Sequence, residues 1–137
     1  MRPEERVELF RKGMEAWVSG DMERALSFYA AEVETRAPEW MNVGDFRGHE
    51  GFLEMNRIWD EAWEEWGYEI KDVRAVGARH IVARVMVGGR GRGSGIEVNQ
   101  EAGWVIEVDD DGLASYLEIT RTEERALEIA HGREVSN

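Results

Sequence analysis

The sequence predicts an α+β fold, with helices in the first half of the chain and antiparallel strands in the second. Three observations point there. Apolar residues recur at helical spacing up to about residue 66. Segments of strand-like alternation follow from residue 68. The acidic stretch "DDDG" at 109–112 joins the last two of those segments as a tight hairpin turn.

Val7, Phe10, Met14 and Trp17 share one face, and Pro3, Glu4 and Glu5 suit a helix start, so a helix is expected over about 3–18. "SGD" at 19–21 breaks it, and Asp21 can cap a second, shorter helix carrying Met22, Ala25, Leu26 and Tyr29. "EVETRA" reads as a short strand that Pro38 ends, and residues 39–45 read as a loop. The stretch "GHEGFLEMNRIWDEAWEEWG" places Phe52, Met55, Trp59, Trp63 and Trp66 at spacings of three and four, which predicts one long helix stopped by Gly67. Its aromatic stripe needs a large apolar partner such as a sheet.

Three or four strands are expected next, in "YEIKDVRAV", "RHIVARVMV", "GIEVNQEAGWVIEV" and "LASYLEITR". In the third of these, the even positions from Ile96 to Val108 form an apolar row that Gln100 interrupts, while Glu97, Asn99, Glu101 and Glu107 face the other way. "TEERALEIAHG" reads as a short terminal helix or frayed segment over a sheet edge. The outer face around Val82, Met86, Gly103 and Val105 carries more apolar area than a solvent-facing sheet needs, which predicts a homodimer packed sheet to sheet.

At 137 residues the chain fits one domain, expected over 1–132 with a tail at 133–137. It has no cysteine, which excludes disulfides and thiolate chemistry, and its histidines at 49, 80 and 131 are scattered, so neither a metal nor a cofactor is expected. The formal charge of -12 opposes nucleic acid and anionic membranes as partners. No apolar signal core or spanning run occurs, and the expectation is a soluble cytoplasmic protein. "VGGRGRGSG" at 87–95 lies between two strands and lacks the lysine and hydroxyl of a phosphate loop, so it reads as a hairpin connection.

The order of elements resembles the cone-shaped α+β (NTF2-like, cystatin-like) fold of nuclear transport factor 2, ketosteroid isomerase and the SnoaL-like polyketide cyclases. "YAAEVETRAPEW", "FRGHEGFLEMNRIWDEAW", "GRGRGSGIEVNQEAGWVIEVDDDG" and "ERALEIAHG" are similar to bacterial SnoaL-like proteins. The resemblance implies a strongly curved antiparallel sheet wrapped around the long helix, a pocket at the open end, and a dimer. It also implies a departure. Ketosteroid isomerases place a general-base aspartate before a proline, where this chain has Ala37 and Pro38.

The candidate site follows from that pocket. Glu118, carried over loosely from the cyclases, is either a general base or a solvent-facing strand residue, with Gln100 and Tyr116 as hydrogen-bond donors to developing enolate charge. Trp59, Trp63 and Trp104 are core residues by spacing and ligand contacts if the pocket is open. Trp40 either closes the pocket mouth or plugs the core. His49 either caps the long helix or contacts the preceding loop, or, as a catalytic residue, binds a substrate oxygen or serves as a base. Two functions stand. One is a cofactor-independent cyclase or isomerase acting by acid/base chemistry on an apolar carbonyl compound. The other is a non-catalytic small-molecule binding or protein-interaction module on the same scaffold.

Overall fold

The computed structural model describes residues 1–38 and 44–136, so Trp40 lies outside the described residues. Helix α1 (Pro3–Val18) begins as its sequence dictates, with Pro3 in the first turn and Glu5 Oε1 accepting from the Arg2 backbone N–H (3.1 Å) and its Nε–H (3.0 Å). Asp21 caps α2 (Met22–Leu26) by accepting from the Arg24 N–H at 3.1 Å. Strands β1 (Tyr29–Arg36) and β2 (Asp45–Arg47) precede α3 (Gly48–Ala62). Then come β3 (Trp63–Val76), β4 (His80–Gly91), β5 (Glu97–Val108), β6 (Ala114–Thr120) and α4 (Glu123–Ser136).

The six strands form one mixed sheet in the order β2-β1-β6-β5-β4-β3. This corrects the expected cone of antiparallel strands. β1 runs parallel to β6, with Thr35 opposite Leu117 and Arg36 opposite Glu118. The sheet is neither strongly curled nor closed: β2 and β3 are its opposite edges and do not pair with each other, as a closed sheet would require. α3 is not wrapped either, for it lies mainly against β1 and β2 at one side of the sheet.

The third helix also ends five residues before Gly67. Trp63 is already extended, at φ -122° and ψ 141°. The cause is remote in sequence. Arg92, just past β4, donates its backbone N–H to Ala62 O (2.9 Å), its Nε–H to Glu61 O (3.1 Å) and an Nη2–H to Trp63 O (2.9 Å). Carbonyls that a helix end leaves without partners are thereby satisfied, and Trp63 and Trp66 are handed to a strand. The glycine-rich stretch is a hairpin connection, as expected, and supplies this clasp as well.

One sheet face, built from Ile81, Ala83, Val85, Trp104, Ile106 and Leu117, packs under Phe10 and Met14 of α1 and Phe52 of α3. The other face carries α4, whose Ala126 and Ala130 close on Val76, Val82 and Val105. α4 thus covers a face rather than an edge, and runs to Ser136 through most of the stretch expected as a tail. Gly103 permits the crossing, since a Cβ there would lie 2.0 Å from Thr122 O. Much of the outer face expected to pack against a second copy is therefore filled by this chain's own helix.

Buried Arg6 locks α1 to the β3–β4 turn, donating to Val76 O (3.2 Å), His80 O (2.8 Å) and Gly77 O (2.8 Å). "DDDG" turns as expected: Asp109 Oδ1 accepts from the Asp111 and Leu113 N–H groups at 3.0 Å each, and Gly112 takes the left-handed φ of 77°.

Candidate functional site

A cavity of about 220 Å³ lies between the sheet and helices α1 to α3. Its sheet wall follows from strand parity. Tyr68 on β3 stands opposite Val87 on β4, which stands opposite Gln100 on β5, and all three line the space. Val98, Gln100, Ala102 and Trp104 line it together, so the even-numbered positions of β5 face inward as their alternation requires. Gln100 stands at the exposed rim. From the helices come Met14 and Trp17 of α1 and Phe52, Met55, Asn56 and Trp59 of α3.

The aromatic rings form a continuous wall. Trp17 stacks on Tyr68 (6.0 Å between centroids, 14° between planes) and leans on Trp66 at 5.3 Å. Trp59 meets Trp63 at 5.4 Å and Trp66 edge-on at 5.6 Å, and Trp104 reaches both Trp17 and Tyr68 at 6.5 Å. These are offset or edge contacts of the kind aromatic quadrupoles favour. Close approach at one corner depends on Gly89, where a Cβ would lie 2.9 Å from both Trp63 and Trp66 side-chain atoms.

The polar groups of the wall are few. The Asn56 amide donates to Phe52 O at 2.8 Å, and the Thr120 hydroxyl makes 2.8 Å contacts with the carbonyls of Gly103 and Thr122. Burial pushes the Tyr29 phenol up to about 12 and raises Tyr68 as well, so both remain protonated at neutral pH. Glu101, also in the lining, lies 3.6 Å from Arg84. The indole Nε1 atoms of Trp63 and Trp104 are buried with no hydrogen-bond partner among the described residues.

The structure brings Trp59, Trp63, Gln100 and Trp104 together and separates Tyr116 and Glu118 from them. Leu117 faces the cavity, so its neighbours on β6 point to the opposite side, toward α4. There the Arg133 guanidinium sits 3.6 Å over the Tyr116 ring, and the Tyr116 hydroxyl donates to the Glu118 carboxylate. Burial raises the Tyr116 phenol above its ordinary value, and the Glu118 bond adds to that shift. His49 does not line the cavity; its Nε2 lies 3.0 Å from Tyr29 O, which ties the start of α3 to β1.

Behind the sheet, fully buried His80 lies between two carboxylates, with Nδ1 2.5 Å from Glu134 Oε2 and Nε2 2.9 Å from Glu107 Oε1. Glu134 also accepts from the N–H groups of Ala78 (2.9 Å) and Arg79 (3.0 Å). Burial works to raise this carboxyl, but the hydrogen bonds from Ala78, His80 and Arg79 outweigh it and hold the group at about 2. Sequence reading missed this cluster because its partners lie 27 and 54 residues from His80. It also missed Trp17 and Tyr68 as cavity walls, although each already stood on an apolar stripe or row.

Fold and cavity together define a class: small α+β domains that enclose an apolar pocket between helices and one sheet face. The chain belongs to the SnoaL-like domain family, whose profile matches residues 10–116, and so to the nuclear transport factor 2-like, ketosteroid isomerase-like superfamily. Solved structures share the fold. A nuclear transport factor 2-like protein of unknown function from Burkholderia pseudomallei superposes with a TM-score of 0.76 at 16% identity, over 90% of this chain and 95% of that one. TerC, co-crystallised with polyporic acid, gives 0.74 at 16% identity over 97% and 99%. A hypothetical protein with a ketosteroid isomerase-like fold from Catenulispora acidiphila, in complex with trimethylamine, gives 0.68 at 12% identity over 82% and 83%. No curated protein sequence matches the chain significantly. Among the described residues, no helix is long and apolar enough to cross a membrane.

Proposed function

We propose that this protein binds a small, largely apolar ring compound in the aromatic cavity, with Trp59, Trp63 and Trp104 as ring contacts and Gln100 at the rim. The observation that carries this reading is the cavity itself: about 220 Å³ walled by five tryptophans and two tyrosines. An apolar cavity of roughly 150 Å³ takes up benzene, so this one has room for one or two rings. Two proteins of the same fold were crystallised with small organic molecules, polyporic acid and trimethylamine.

Binding is favoured over acid/base catalysis through Glu118, because Tyr116 and Glu118 face α4 across the sheet. A carboxylate there has no path to a ligand in the cavity. The test is a titration with the bicyclic hydrocarbon tetralin, followed by tryptophan fluorescence. Ala102→Phe, which fills the cavity from β5, is expected to weaken binding at least tenfold, and Glu118→Gln to leave it within about twofold. Unchanged affinity in Ala102→Phe, or loss in Glu118→Gln, would move the site elsewhere.

A further inference from the structure

The geometry points to Arg92 as a positioning residue for ligand binding: from the β4–β5 hairpin it holds residues 63–66 as a strand against a competing continuation of α3, and so sets Trp63 and Trp66 in the cavity wall. This rests on the proposed binding role and adds the residue that shapes its site.

The competition is visible in the hydrogen bonds. Were α3 to continue, the N–H groups of Glu65, Trp66 and Gly67 would each reach back four residues, to the carbonyls of Glu61, Ala62 and Trp63. Arg92 takes those same three. Its Nε–H donates to Glu61 O (3.1 Å), its backbone N–H to Ala62 O (2.9 Å) and an Nη2–H to Trp63 O (2.9 Å), so one residue from another element replaces three helical donors. Arg92 does not itself line the cavity, and it acts through the segment that it holds.

Local sequence favours the helix. Trp59, Trp63 and Trp66 keep the spacing of three and four that Phe52 and Met55 begin, and the exposed Glu64 and Glu65 are good helix formers. The strand's own ladder is weak here. Trp63 stands opposite Gly91 and Trp66 opposite Gly89, which offer no side chain to cross-strand packing, and the register skips Glu64. Arg92 supplies the difference, presented by a turn in which the Gly91 N–H donates to Ile96 O and the Gly95 N–H to Gly91 O, each at 3.0 Å. Helical continuation would take Trp63 and Trp66 off β3, where they pair with β4 and complete the wall beside Trp17 and Trp59.

The experiment follows the ¹³Cα shifts of residues 63–66 and the tetralin affinity in wild type, in Arg92→Gln, and in Arg92→Gln combined with Glu64→Pro. Proline is excluded from a helix interior and holds the residue before it extended, at the angles Trp63 already has (φ -122°, ψ 141°), so it restores the strand without restoring the clasp. In Arg92→Gln the shifts are expected to move toward helical values and affinity to fall roughly threefold to tenfold, since only the strand fraction then binds. The double variant should return the shifts to extended values and affinity to within about twofold of wild type. Shifts that stay extended in Arg92→Gln would overturn the competition, and extended shifts without recovered affinity in the double variant would overturn the positioning role. Failure of tetralin to bind wild type would overturn the binding role and with it Arg92's part in binding, while the shifts would still decide whether Arg92 holds the strand. Should Arg92→Gln fail to fold, Arg92→Lys keeps the charge but loses the planar fork that serves two carbonyls at once, and the same shifts judge it.

Discussion

Gly88 and Gly89 are adjacent on β4, yet replacing each by alanine should have opposite effects. At Gly89 the new Cβ would stand 2.7 Å from Glu65 O, 2.9 Å from Trp63 Cε3 and 2.9 Å from Trp66 Cβ. Glu65 O is backbone, so relief from 2.7 Å to an ordinary contact of 3.4 Å requires β3 to move away by roughly 0.7 Å, with both tryptophans riding on it. Overpacking of this kind costs about 1–3 kcal/mol. At Gly88 the nearest atoms are Val98 O at 3.6 Å and Asn99 Oδ1 at 3.9 Å, ordinary contacts. Gly88→Ala should then be neutral or stabilise by up to about 1 kcal/mol through the unfolded chain. With a urea slope of about 2 kcal/mol per molar, Gly89→Ala should lower the unfolding midpoint by roughly 0.5–1.5 M and Gly88→Ala should not lower it. Tetralin affinity should fall with the first and hold with the second. Equal midpoints for the two variants would refute the claim that β4 presses on the tryptophan corner.

Arg6→Met keeps the buried stem but strips three carbonyls at the β3–β4 turn of a charged donor, and should lower stability by about 3–5 kcal/mol in the same urea assay. Glu134 titrates at about 2 in the fold against an ordinary 4.5. Its depressed value contributes stability that is complete above about pH 4.5 and is lost as pH falls toward 2, so Glu134→Gln should flatten that limb of a stability–pH curve. On the α4 side of β6 the Arg133 guanidinium covers the buried Tyr116 ring, so Tyr116→Phe should alter thermal stability and leave tetralin affinity within about twofold.

Much of this was legible along the chain. The stripe Val7, Phe10, Met14 and Trp17 defines α1, and the alternation of β5 identifies Gln100 and Trp104 as facing one space. Family resemblance, too, pointed to a pocket. What the sequence does not carry is non-local. Spacings of three and four from Trp59 to Trp66 fit a continuing helix, and only Arg92, arriving from the far hairpin, ends it at Ala62. Tyr116, Glu118 and Thr120 alternate with Leu117 and Ile119, so a polar row does mark the outer face of β6; it was the loose likeness to the cyclases that put Glu118 at the pocket. The parallel pairing of β1 with β6 and the openness of the sheet likewise depend on strands more than 70 residues apart meeting in space.

The central claim, that ligand enters the aromatic cavity and not the Tyr116–Glu118 side, is tested most directly by ¹⁵N–¹H spectra of the wild-type protein titrated with tetralin. The indole signals, assigned by single Trp→Phe variants, report on the cavity. Those of Trp59, Trp63 and Trp104 should move most, with Trp17 and Trp66 following through ring currents, while the backbone amides of Glu118 and α4 stay in place. Shifts confined to β6 and α4, with the five indoles unmoved, would contradict the account.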